Sequence, residues 1–392
     1  MAQTPLAATT VLDLSQGVAG PTAATLLADF GADVISVEPP GGATERRLAE
    51  GSAFPNVSRN KRSIVIDLKS DDGTDVLHRL VEDADALIHN NRPGKMADLG
   101  CDYETLAEIN PELVYCSVTG YGEDGPYRDR PGIDPLAQAI SGMMWTAGEP
   151  DRKPSRIGAP TIDSGTGTYA AFSMVLALWH ARETGVGQQI ETSLFDTAAT
   201  YLGNWYTQYS MTGEVPQRQG HAWDGYAPSG VFETGTDPIY LATPFQGLWE
   251  RFTHAIDRND WVDDPRFESN EKRLENRDEL TAELEDEFRS FDREELLARL
   301  VAAGVPAAEL QTVEQAAHDE HLHERGTLRH VNDVDGSEVI ATGPPVKLSE
   351  TPGTVDDVAP ELGEHTSTVL SEFGFDASTI ERLMDENVVN SP

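Results

Sequence analysis

At 392 residues the chain exceeds what one hydrophobic core usually spans, so two domains, or a large one with a smaller insert, are expected. Its 67 acidic against 29 basic residues leave a formal net charge of -38, a sign that repels nucleic-acid phosphates and excludes that class of partner. No run approaches the ~20 apolar residues of a membrane span, the start lacks the build of a secretory leader, and Cys101 and Cys116 fit neither a disulfide framework nor a metal-ligand spacing, so a soluble, cytoplasmic protein without a metal is expected.

In chain order, TTVLDLS, DVISVE, KRSIVIDLK, DALIHN and LVYCSVTG read as short apolar strands, with GPTAATLLADFGA and DVLHRLVEDA as helices between them. That alternation predicts βαβ units around a largely parallel sheet, an α/β class. From Gly132 the pattern turns helical, with DPLAQAISGMMWTAG and then TGTYAAFSMVLALWHARETG. The nearly continuous apolar middle of the second predicts burial on most sides, and Gly185 ends it. A strand QQIETSL and a helix FDTAATYLGNWYTQY follow, and then a Gly-, Pro- and Ser-rich passage from Thr212 to Gly230 marks a boundary. Beyond it lie a strand DPIYLAT, charged amphipathic helices, a hairpin TLRHVNDVDGSEVIATG turning at Asp335 and Gly336, and a polar helical tail. The expected layout is a large domain in residues 1–211, a smaller α+β domain in 212–330, and a return to the large domain in 331–392.

The opening VLDLSQGVAGPTAATLLADFGADVISVE imitates a dinucleotide fingerprint, down to an acidic residue, Glu38, at the end of the second strand. Pro21 and Thr22 follow Gly17 and Gly20 without completing G-x-G-x-x-G, so no nicotinamide or flavin is expected. The nearly bare backbone from Gly17 to Gly20 either admits a ligand's chain or lets helix pack on strand.

Arg46, Arg47, Arg59, Lys61, Arg62, Lys69, Arg92 and Lys95 fall within one short section of a chain with only 29 basic residues in all. They either bind an anionic ligand such as a phosphate or pair with neighbouring acids. Scarce lysine, abundant acid and an ordinary hydrophobic fraction of 39% point to adaptation to high salt, where self-repulsion is screened.

RIGAPTIDSGTGTYAAF places Asp163 between an extended stretch and a helix expected to begin near Thr166, with Ser164, Gly165 and Gly167 around it. Such a carboxylate is either an N-cap, which residue physics alone favours, or an accessible reactive group.

Together these stretches carry a resemblance. LDLSQGVAGPTAATLLADFGADVISVEPPGG, NKRSIVIDLK, HNNRPGKMADLGCDYETL, LAQAISGMM, and APTIDSGTGTYAA leading to TGVGQQIETSLFD resemble, in order over most of residues 10–200, the family III CoA-transferases. The resemblance implies a Rossmann-like large domain formed from both chain ends, a smaller domain between them, and an interlocked homodimer. It puts the catalytic aspartate at Asp163 and CoA contacts at Val18, Ala19, Asp67, Leu68, Lys69, Asn90, Asn91, Arg92, Ile133 and Asp134. The implied reaction moves CoA from a donor thioester to a small carboxylic acid through covalent intermediates on Asp163, with no permanently bound cofactor. N–H groups of the glycine-rich turn beside Asp163 would serve the tetrahedral oxyanions. Joined to the acidic composition, the resemblance implies succinyl-CoA as donor and a dicarboxylate such as mesaconate as acceptor.

Departures from the family pattern are specific. Asp98 and Pro39 stand where arginines are common, leaving Arg62, Arg92 or Lys95 to compensate, and GHAWDGYAPSG, around His221 to Gly230, replaces a glycine-run loop. The related α-methylacyl-CoA racemases carry a histidine in a G-H-D segment, which here reads Gly132, Ile133, Asp134. Without a titratable group at Ile133 a two-base racemisation loses one partner, which favours transfer. A CoA-binding protein without activity is the alternative from another class.

Overall fold

The apolar runs of the first 200 residues form the strands β1 (Thr10–Asp13), β2 (Asp33–Glu38), β3 (Lys61–Ile66), β4 (Ala86–His89), β5 (Val114–Thr119) and β6 (Gln188–Ser193). After them come β7 (Ser229–Phe232), β8 (Ile239–Ala242), β9 (Ala307–Glu309), β10 (Leu328–Asn332), β11 (Glu338–Thr342) and β12 (Val389–Asn390). The computed structural model describes residues 4–333, 336–355 and 358–392. Two compact units divide them: Met1–Met143, Ile157–Gly213 and Glu320–Pro392 form the first, and Met144–Arg156 with Glu214–Asp319 the second.

The first unit is an α/β layer structure around one sheet ordered β12-β3-β2-β1-β4-β5-β6. β1 to β6 pair in parallel, while β12 runs antiparallel to β3, so the chain's last residues complete the sheet its first residues begin. Successive side chains of a strand face opposite ways, and both faces here are apolar. Val11, Val34, Ala86 and Ile88 pack with Ala23 and Leu27 of helix Ala19–Asp29 and Met174 of helix Thr161–Thr184. Leu12, Ile35, Ile64 and Leu87 turn to the other face, against Leu77 and Leu80 of helix Asp71–Glu82 and Val369 and Leu383 of the C-terminal helices. Burial on both faces explains why these strands read as continuous rather than alternating runs.

Local chemistry sets the helix ends. Ser70 Oγ accepts the Gly73 N–H at 3.0 Å, and Asp71 and Asp72 occupy the first turn that follows. Gly185, at φ 71°, takes the left-handed conformation that ends helix Thr161–Thr184, as its sequence predicts. Gly167 lets that helix cross helix Ala19–Asp29 closely, since a Cβ there would lie 2.5 Å from the Ala19 carbonyl oxygen. Cys101 and Cys116 are buried in the two layers, and burial pushes each thiol up to about 12.

In the second unit β7, β8 and β9 form an antiparallel sheet covered by helices, with Trp249, Phe252, Trp261 and Phe288 in its core. The predicted hairpin is β10 paired antiparallel with β11, in the first unit. Gly336 lies in its turn at φ 82°, and Asp335 falls outside the described residues.

Candidate active site

In an open parallel sheet, ligands bind beyond the carboxyl ends of the strands, where successive connections leave in opposite directions. β1 and β4 lie side by side at such a point. The loop leaving β1 is held from three sides. Buried Asp13 accepts hydrogen bonds from Ser15 Oγ, from the Ser15 N–H at 3.0 Å, and from Lys61 Nζ at 2.8 Å. Glu45 Oε2 takes the Gly17 N–H at 2.9 Å, and burial holds that carboxyl above its ordinary range. Asn90 brackets Gln16, its Oδ1 accepting the Gln16 N–H at 2.9 Å and its Nδ2 donating to the Gln16 carbonyl at 2.5 Å.

The two readings of the Gly17 to Gly20 stretch now separate. A Cβ at Gly20 would sit 2.3 Å from Ser15 Cβ, so Gly20 serves packing of loop on helix. Gly17 adopts φ 83° with open space beside it.

A groove of about 310 Å³ opens at the ends of β1 to β4, with Gln16, Pro39, Asp67, Leu68, Lys69 and Asn91 in its lining and Lys95 at its rim. It brings together four of the expected CoA contacts: Asp67, Leu68, Lys69 and Asn91. The others lie outside that lining. Val18 is the residue before helix Ala19–Asp29 and Ala19 its buried first residue. Asn90 is occupied by the loop, Arg92 is exposed, Ile133 is 59% exposed, and Asp134 is buried.

The eight clustered cations also divide. Arg46 pairs with Glu38, Arg59 with Asp29, Lys61 with Asp13, and Arg62 with Asp33 and Glu372, while Arg47 donates to the Gly41 carbonyl. Arg62 is thereby committed to acids of the fold. Among the described residues Lys69, Arg92 and Lys95 are exposed and make no ion pair, and they stand beside the groove or its β4 loop. If these three meet an anionic ligand, Lys95→Glu raises the KM for acyl-CoA by about tenfold, the worth of one charge-assisted contact, and leaves kcat within about twofold. Steady-state kinetics at fixed acceptor checks this; an unchanged KM contradicts it.

Asp163 is not an N-cap. The helix begins at Thr161 with Pro160 before it, so Asp163 lies within the first turn, and Gly165 and Gly167 lie inside the helix rather than in a turn ahead of it. The sequence reading erred because the small residues after Asp163 look like a turn, whereas they are small for packing. A Cβ at Gly165 would lie 2.0 Å from Tyr201 Oη. The capping role belongs to Asp134, whose Oδ2 accepts the N–H groups of Ile162 at 2.8 Å and Asp163 at 3.1 Å. Thr161 and Ser164 donate to the Ala159 and Pro160 carbonyls, so the first-turn N–H groups are occupied and the expected oxyanion donors are not supplied by this turn.

The Asp163 carboxylate is half-buried and meets no hydrogen-bond donor among the described residues. Burial first, and the Asp134 charge second, push it up to about 7 from an ordinary 3.8. The folded protein therefore holds a proton that the unfolded chain releases. This one group's contribution to stability is greatest below pH 4, falls as pH rises towards 7, and is level above that. Asp163→Asn removes this decline, so the variant should melt at a higher temperature than the parent at pH 8 and at the same temperature near pH 4. Equal melting temperatures at both pH values contradict it.

Sequence reasoning missed Gln138, Glu45 and Tyr201 as supports of this region. Gln138 alone had a visible signal, its place four residues after Asp134 on a predicted helix, where the two side chains meet.

The profile of CoA-transferase family III matches residues 6–366. The chain belongs to CoA-transferase family III. Among relatives, the succinate–glutarate CoA-transferase of Agrobacterium fabrum is 34% identical over 96% of this chain and 97% of its own. The succinyl-CoA:mesaconate CoA-transferase of Haloarcula hispanica is 35% identical over 94% and 96%. A CaiB/BaiF family protein from Brucella suis superimposes with a TM-score of 0.86 at 35% identity, covering 95% of this chain and 100% of that one. A family III enzyme works on CoA thioesters. Burial pushes the Cys101 and Cys116 thiols up to about 12 and holds His89 down to about 4.

Proposed function

We propose that this family III enzyme moves CoA from succinyl-CoA to a small dicarboxylic acid such as mesaconate, carrying the acyl group and then CoA on Asp163. The observation that carries the reading is the Asp163 carboxylate, sheltered, without a hydrogen-bond donor among the described residues and more basic than an ordinary aspartate. Such a group is a stronger nucleophile once ionised, and it has no partner to give up before it attacks. One relative's name carries succinyl-CoA and the other's succinate.

In this mechanism an Asp163 oxygen attacks the thioester carbonyl, the carbon–sulfur bond breaks, and CoA leaves as a thiolate from a mixed anhydride. The thiolate attacks the aspartyl carbonyl carbon and releases the donor acid as its carboxylate. An aspartyl-CoA thioester remains. The acceptor carboxylate then attacks that thioester and expels CoA thiolate to form a second mixed anhydride, and the thiolate attacks its acceptor acyl carbonyl, which returns the Asp163 carboxylate and yields the new acyl-CoA. The groove beyond β1 to β4 takes the nucleotide end of CoA, with Lys69, Arg92 and Lys95 facing its phosphates and the Val18 and Ala19 backbone beside its chain.

The enzyme acts as a homodimer in the cytoplasm. Phe172, Val175, Leu176 and Trp179, between 43% and 71% exposed, follow one another at helical spacing along helix Thr161–Thr184, and a stripe of that kind supports an interface with a second copy. The charge of -38 supports adaptation to salt, and the melting temperature should rise from low to molar salt. A flat or falling curve would remove that part of the reading.

Mass spectrometry of products from succinyl-CoA and a panel of dicarboxylic acids tests the whole. A new acyl-CoA should form only with an acceptor acid present. Inversion of an α-methylacyl-CoA without acid would mark a racemase instead, and CoA binding without turnover a protein that only binds.

A further inference from the structure

Helix Thr161–Thr184 has no capping side chain of its own, because Pro160 precedes it. Its cap comes from 29 residues upstream, as Asp134 Oδ2 accepts the N–H groups of Ile162 and Asp163. Asp134 Oδ1 in turn accepts from Gln138 Nε2 at 2.5 Å, and Gln138 Oε1 accepts the Ile157 N–H at 2.9 Å. Gln138 is fully buried and Asp134 nearly so. An amide has one donating and one accepting end, and here each end is used, so the side chain cannot flip without losing both contacts. The pair thus grips the segment that leads to the nucleophile at two points, Ile157 before the helix and Ile162 with Asp163 inside it.

We propose that Gln138, acting through Asp134, is a positioning residue for Asp163, and that the Asp134 charge favours the covalent enzyme over the free one. The inference rests on Asp163 carrying the acyl group. An asparagine or serine would cap these N–H groups without adding charge. A carboxylate instead places a like charge beside the nucleophile, and that repulsion disappears when Asp163 becomes a neutral anhydride or thioester and the displaced acid leaves with the negative charge. Asp134 therefore disfavours the resting ionised state and loses nothing in the acylated one. Helix Leu194–Tyr201 brings Tyr201, whose hydroxyl burial keeps protonated, and helix Ala19–Asp29 meets Gly167 through uncharged Ala19 and Thr22.

Three variants of the full chain separate the possibilities: Asp134→Asn, Gln138→Met and Gln138→Glu. For Asp134→Asn the acid limb of the kcat/KM profile should move down by about one pH unit, a tenfold change in proton affinity. The fraction of enzyme trapped by hydroxylamine at steady state should fall with it. Gln138→Met should lower kcat by about 10- to 100-fold with KM within about threefold, the cost of loosening a reacting group's position. Gln138→Glu should recover activity relative to the parent at the same pH as pH falls, because only the protonated acid can donate to Asp134. That recovery distinguishes positioning from simple loss of fold. An Asp134→Asn profile and trapped fraction superimposable on the parent's, or a ratio of Gln138→Glu to parent activity that does not rise at low pH, overturns the inference. Hydroxylamine labelling of Asp163 in the parent keeps the two readings apart, since its absence would instead remove the covalent mechanism beneath.

Discussion

Asp163→Ala should lower transfer from succinyl-CoA by roughly 10³-fold or more, while acyl-CoA still binds with an affinity within a few-fold of the parent's. Loss of that size is expected because in the proposed cycle the carboxylate takes part in every bond-making step, and among the described residues no neighbouring group replaces it. Asp134 is the nearest acid by its effect on Asp163, but both its oxygens are engaged by three N–H donors. Retention of binding is expected because the groove and its unpaired cations belong to the loops after β1 to β4 and not to the first turn of helix Thr161–Thr184. Product formation by mass spectrometry and binding by calorimetry measure the two quantities separately. A variant that keeps more than about a tenth of the activity, against the losses typical of removed nucleophiles, is incompatible with Asp163 as carrier.

Lys61→Ala should destabilise the protein by about 3–5 kcal/mol, because it leaves Asp13 as an uncompensated charge in the interior. Both side chains are 1% exposed, and Lys61 also donates to the Pro21 carbonyl at 3.0 Å, tying β3 to the start of helix Ala19–Asp29. The damage should reach the ligand side as well, since Asp13 and Ser15 shape the loop that borders the groove. Joining Asp13→Asn to Lys61→Met should recover much of the loss, because removing both charges costs far less than removing one. Denaturant unfolding at neutral pH decides this. A single variant within about 1 kcal/mol of the parent, the worth of an exposed pair, would show that Asp13 finds another partner or a proton.

These two sites show what can be read from residues alone and what cannot. The sheet was legible because its strands are short apolar runs separated by helix-length segments, and two-faced burial leaves that pattern intact in the sequence. The end of helix Thr161–Thr184 was legible at Gly185, where left-handed backbone favours one residue type. Its start was not. Asp163 precedes two small residues that mimic a turn, and the true cap lies 29 residues upstream on another helix, a partnership that no local pattern encodes. The basic cluster misled in a similar way. Arg46, Arg59, Lys61 and Arg62 were drawn into ion pairs with acids as close as eight and as distant as 310 positions along the chain, while among the described residues Lys69, Arg92 and Lys95 make no ion pair. Asp13 and Glu45 had no signal at all, because each acts through a contact made only in the folded chain, Asp13 with Lys61 of β3 and Glu45 with Gly17 after β1, and Asn90 was marked as a CoA contact without any sign of its bonds to Gln16.

The covalent role of Asp163 is the central claim, and trapping meets it most directly. Enzyme mixed with succinyl-CoA and hydroxylamine, then digested and sequenced by mass spectrometry, should carry a hydroxamate on Asp163, only when donor is present and at no other carboxylate. A protein that turns over succinyl-CoA to a new acyl-CoA yet yields an unmodified Asp163 peptide under these conditions would contradict the account.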